Sequence, residues 1–131
     1  MRVFQQSTIL VVAVLILGTL TLTFGEGVRK RVKFAKGRNS TVINNAVLRE
    51  DVDQYIVGAK AGQTMKVEIT SLEHNASFQI SQPRNKGTLA GAGFDDDVNR
   101  WSGELPQTGD YVIEVAPTRG NATYRLTIEI R

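Results

Sequence analysis

Few side chains in this 131-residue sequence have a type and spacing that could do chemistry. Asp95-Asp96-Asp97 with Asn99 could offer hard oxygen ligands to calcium. Their spacing is not that of a known calcium loop, and adjacent carboxylates among glycines are ordinarily just solvated. His74 is the only histidine, and no serine nucleophile or carboxylate partner can be assigned to it. A catalytic triad or a histidine-based zinc site therefore has no support. No glycine-rich phosphate loop is present, and no acidic pair stands out as an acid–base couple. Leu105-Pro106-Gln107-Thr108-Gly109 matches the L-P-x-T-G sorting signal, which needs a membrane-spanning run and a basic tail after it. An alternating strand pattern follows instead, so Pro106 and Gly109 read as a turn. Trp101, the sole tryptophan, could stack on a sugar ring, but Leu105 on its face at a spacing of four favours a core position. What remains is Arg119, one basic side chain at the tip of a short turn, Thr118-Arg119-Gly120. The residues point to a binding protein without catalysis, cofactor or metal.

The elements that must hold Arg119 are legible on both sides of it. Tyr111, Ile113 and Val115 share one face of a strand, and Val112, Glu114 and Ala116 the other. After the turn, Tyr124, Leu126, Ile128 and Ile130 again form one apolar face. Such period-2 alternation predicts two half-buried antiparallel strands joined as a hairpin. Six further extended segments are expected at 32–35, 41–48, 52–59, 64–71, 77–81 and 100–105. Turn signals separate them: Lys36-Gly37-Arg38-Asn39, Arg49-Glu50-Asp51, Lys60-Ala61-Gly62-Gln63 and His74-Asn75. Residues 82–99 carry Gly87, Gly91 and Gly93 with few strand formers, which predicts a mobile loop or an irregular crossover. Asn39-Ser40-Thr41, Asn75-Ala76-Ser77 and Asn121-Ala122-Thr123 have the form of glycosylation sequons and all fall at turns. The fold class predicted is all-β: an antiparallel, jelly-roll-like sandwich of about eight strands.

Residues 1–25 hold one base, Arg2, then the apolar run 9–17, then small residues near Gly25. That is the form of a secretory signal peptide, with residues 26–131 as the β-sandwich domain. An uncleaved membrane anchor is the alternative, because the run approaches bilayer-spanning length. The chain has no cysteine, so an exported domain must stand on packing alone, which suits the bacterial periplasm or a secreted bacterial protein. Arg29, Lys30, Arg31, Lys33, Lys36 and Arg38 form a basic opening without an acid. Alternation with Val32 and Phe34 marks it as a charged edge strand, which blocks aggregation, rather than a nucleic-acid surface.

Three segments together resemble a known group: Asp51-Val52-Asp53-Gln54-Tyr55 running into Ala61-Gly62-Gln63-Thr64-Met65-Lys66-Val67, then residues 101–115, then Tyr124-Arg125-Leu126-Thr127-Ile128. They look like the bacterial pre-peptidase C-terminal type of β-sandwich. More particularly, they resemble the small exported proteins related to the periplasmic inhibitor of g-type lysozyme. The resemblance implies a protein partner, a g-type lysozyme or another cell-wall hydrolase, whose cleft is blocked by inserted loop side chains. Such a cleft carries catalytic carboxylate, and an arginine on a tight loop can pair with it through two hydrogen bonds. Arg119 is similar to the family's loop arginine. The family's tyrosine is replaced here by Glu50, and its second basic residue by Thr123. Candidate binding residues are Arg119, its neighbours Thr118 and Gly120, and Tyr55 and Trp101. The second reading is a carbohydrate-binding or structural module of the pre-peptidase type in the cell envelope, using Trp101 and residues 82–99 on a glycan.

Overall fold

Most strand-forming runs turn one row of apolar side chains inward, the exposed Arg29–Arg31 being an exception. In the computed structural model, which describes residues 27–131, eight strands build two sheets facing each other across those rows. They are β1 (Arg29–Arg31), β2 (Ser40–Val47), β3 (Asp53–Ala59), β4 (Thr64–Ser71), β5 (Ala76–Ser81), β6 (Arg100–Glu104), β7 (Gly109–Pro117) and β8 (Ala122–Ile130). The expected signal segment, residues 1–25, lies outside the described residues. One sheet has the order β1-β3-β7-β5 and the other β2-β8-β4-β6. Odd strands thus form one layer and even strands the other, so every connection crosses between layers.

That topology corrects the expected hairpin. β7 pairs with β3 and β5, whereas β8 pairs with β2 and β4. The turn between them is an arch from one sheet to the other. Alternation reports that a strand has one buried face; it does not report which strand lies beside it. Both are inner strands of their sheets, and Tyr111, Ile113 and Val115 meet Tyr124, Leu126 and Ile128 in a shared core with Val57, Met65, Val67, Phe78 and Ile80.

The opening strand is also displaced from its expected place. Arg29–Arg31, not residues 32–35, pairs with β3, in parallel at the sheet edge. Val32 and Phe34 pack on the core while the chain crosses to the other sheet. Arg31 reaches over β3 to Asp110, Nη1 to Oδ1 at 3.0 Å and Nη2 to Oδ2 at 2.7 Å. The guanidinium hydrogen bonds hold the Asp110 carboxyl below its ordinary range. Gly27 sets the approach: its φ is +74°, and a Cβ there would come within 2.1 Å of the Val52 carbonyl oxygen.

Residues 82–99 form the irregular crossover of the two options. Ile80 N–H donates to the Ala92 carbonyl and Leu89 N–H to the Ile80 carbonyl, each at 2.9 Å. Leu89 and Ala92 are buried. Two short 3-10 turns, Pro83–Asn85 and Phe94–Asp96, interrupt the segment. Asp96 accepts the Gly93 N–H at 2.8 Å, and Asp97 is left-handed. Among the described residues no group of three or more His, Asp or Glu is gathered as metal ligands.

Candidate functional site

Strand direction decides which loops meet. β7 runs antiparallel to β3 and β5, and β8 antiparallel to β2 and β4. The links 48–52, 72–75 and 118–121 therefore emerge at one end of the sandwich. Links 60–63 and 105–108 emerge at the other, where Gly62 N–H donates to the Leu105 carbonyl at 2.9 Å.

At the first end the three loops are tied by hydrogen bonds. Asn75 is 2% exposed. Its Nδ2 donates to the carbonyl of Arg119 at 3.0 Å and to that of Asn121 at 2.9 Å. Its own carbonyl accepts the Thr118 N–H at 2.8 Å, and its N–H donates to Ser71 Oγ at 2.9 Å. One buried asparagine, through its side-chain amide and its main-chain carbonyl, thus fixes the backbone on both sides of Arg119. Asn121 passes the tie onward, its Oδ1 accepting the Arg49 N–H at 2.8 Å. Gly120 adopts φ +58° to close the arch.

The Arg119 guanidinium donates through Nη2 to the Glu73 carbonyl. A guanidinium has five donors in a planar fork, so others remain for an anion. Arg119 stands with Arg49, Glu50, Pro117, Thr118 and Gly120 around a shallow depression of about 640 Å³, open to solvent. Sequence placed Arg119, Thr118 and Gly120 together, and the structure brings Arg49 and Glu50 to the same spot.

Two expected contacts lie elsewhere. Tyr55 is 1% exposed and belongs to the core, which corrects its place among the binding residues. Its hydroxyl meets that of Tyr124 at 2.5 Å, and Tyr124 donates to Asp53 Oδ2 at 2.5 Å. A phenol has one proton, so Tyr55 donates to Tyr124. Asn45 Nδ2 and the Val28 N–H also donate to Asp53, at 3.3 and 2.9 Å. Burial, then the bond to Asp53, pushes the Tyr124 phenol far above its ordinary range, so it stays a neutral donor. An inward aromatic on an alternating strand finds its hydroxyl partner across the two sheets, not in solvent. Trp101 sits on the edge strand β6, opposite Val67, packed partly on the core, and its indole N–H donates to the Ala90 carbonyl at 3.0 Å. Val67 pairs in turn with Ile128, six residues from the start of β8, so Trp101 is roughly 20 Å from the arch along the strands.

Sequence reasoning passed over Asn75 and Arg49. Asn75 carried only a turn-like sequon signature, and its burial arises from loops distant in sequence. Arg49 sat in a recognised turn, Arg49-Glu50-Asp51, but its nearness to Arg119 needs the sheet order.

Three comparisons bear on this arrangement. No protein-family model matches the sequence. An inhibitor of g-type lysozyme from Escherichia coli (strain K12) is 32% identical over 139 residues, spanning 91% of this chain and 94% of that protein. The crystal structure of a periplasmic lysozyme inhibitor of g-type lysozyme from Aeromonas hydrophila matches at TM-score 0.66 and 29% identity, covering 79% of this chain and 96% of that one. The pre-peptidase C-terminal domain of a Bacillus anthracis collagenase matches at TM-score 0.58 and 14% identity, over 79% and 96%, and shares the fold alone.

Proposed function

The chain belongs to the family of inhibitors of g-type lysozyme, and from that premise we propose that it is a periplasmic, non-catalytic protein that blocks such an enzyme with the Arg119 arch. Residues 1–25 act as its export signal. The observation that carries the reading is the anchoring of Arg119: its backbone is clamped by a buried asparagine and its side chain is steadied by the Glu73 carbonyl. A polysaccharide-cleaving cleft is concave and lined with catalytic carboxylate. A loop end whose arginine keeps guanidinium donors to spare beyond the Glu73 carbonyl complements it in charge. Because the arch is already ordered, docking gives up little conformational freedom. Thr118 and Gly120 supply the backbone that aims the side chain. Purified protein is expected to inhibit turbidity loss of peptidoglycan by a g-type lysozyme. Arg119→Ala should weaken binding by about 2–5 kcal/mol, the range for truncating one partner of a buried charge pair. Absence of inhibition at micromolar protein contradicts the proposal.

A further inference from the structure

The end that carries Arg119 also exposes two large apolar side chains. Leu72 is 93% exposed and Leu48 is 56% exposed. Leu72 follows Ser71, the partner of Tyr124 in the β4–β8 ladder. Leu48 follows Val47, the partner of Ala122 in the β2–β8 ladder. The two leucines thus flank the start of β8, on the strands either side of it, roughly 10 Å apart at the spacing of neighbouring strands. Leu72 adjoins Glu73, whose carbonyl receives the Arg119 guanidinium, and Leu48 adjoins Arg49, tied to Asn121. Leu72 and Leu48 are the two most exposed of the large apolar side chains among the described residues. At the opposite end Leu105 is buried, and no large apolar side chain of links 60–63 and 105–108 is exposed.

We propose that Leu72 and Leu48 form an apolar rim of the surface that seats on the enzyme, packing against apolar walls of the cleft that Arg119 enters. This inference rests on the proposed inhibition and names what else the partner must offer. Ligand clefts are walled mostly by apolar and aromatic side chains with a few polar groups at the centre. The loop end offers a similar mixture: the charged Arg119, Arg49 and Glu50, with two exposed leucines beside them. Burying either leucine at the contact removes apolar area from water, which favours association. Thr123 and Asn121, between the leucines, are small enough to let an enzyme surface approach both.

The test uses the whole protein against a g-type lysozyme, with inhibition and direct titration read together. Leu72→Ser is expected to raise the inhibitory concentration about tenfold, and the Leu48→Ser/Leu72→Ser pair further, with thermal stability unchanged. Val42→Ser, at an exposed apolar position on β2 away from this end, serves as control and should leave inhibition within twofold. If the leucine variants inhibit as well as the parent while Arg119→Ala does not, the rim is refuted and the arginine contact stands. If Val42→Ser costs as much as Leu72→Ser, the rim is likewise refuted. If the parent protein fails to inhibit, both the rim and the reading beneath it fall.

Discussion

In the proposed inhibition Arg119 acts from the position that Asn75 gives its loop. Removing the Asn75 amide, itself only 2% exposed, leaves the carbonyls of Arg119 and Asn121 without their donor. Asn75→Ala is therefore expected to cost about 1–3 kcal/mol of stability in chemical denaturation. It should also weaken inhibition, and less so once Arg119 is already alanine. A double-mutant cycle reads that coupling; strictly additive effects on inhibition would mean that Asn75 stabilises the fold without aiming the arginine. Tyr124→Phe is a second residue-scale prediction. It deletes the hydroxyl linking Tyr55 to Asp53, and urea unfolding should show a loss of about 1–3 kcal/mol. Arg119 was legible in the sequence because the alternation on both sides left it nowhere but a turn. Asn75 and Asp53 were not, because a buried polar residue is recognised by partners that arrive from distant strands. Tyr55 misled for the same reason: its hydroxyl belongs to Tyr124, which lies in the opposite sheet.

At the scale of elements, the arch from β7 to β8 and the docking of β1 each depend on a glycine. Gly120 has positive φ and open space where a Cβ would go, so a substitution is strained without a clash. Gly120→Ala should lower stability by about 1 kcal/mol in thermal or chemical unfolding. Gly120→Asn should lose less, since asparagine tolerates that backbone region. Equal losses for the two would contradict the backbone origin. Gly27 differs, because the obstruction there is main chain. Gly27→Ala should free β1 and speed amide exchange at Gln54, whose N–H donates to the Val28 carbonyl at 2.7 Å, while the core strands stay protected. Strand positions were largely readable: the runs 64–71 and 122–130 coincide with β4 and β8 because their inward rows are uninterrupted. Pairing was not readable. Two alternating strands joined by four residues fit a hairpin and an inter-sheet arch equally, and only the competition of β3, β5, β2 and β4 for their edges decides.

For the molecule as a whole, alternating odd and even strands between sheets gathers three loops at one end. Nothing local in the sequence brings Arg49, Glu73 and Arg119 together; the sheet order does. The hydrogen bonds among those loops order that end, which is the contact surface proposed for the protein. A relative 32% identical is an inhibitor of g-type lysozyme, and the partner proposed for this surface is such an enzyme. The most direct measurement is titration of a g-type lysozyme with the purified protein and with Arg119→Ala, following peptidoglycan hydrolysis. Inhibition at or below micromolar protein, weakened at least about thirtyfold in the variant, is the predicted result. Undiminished hydrolysis with the parent protein, or equal inhibition by the variant, would contradict the claim that Arg119 closes the cleft.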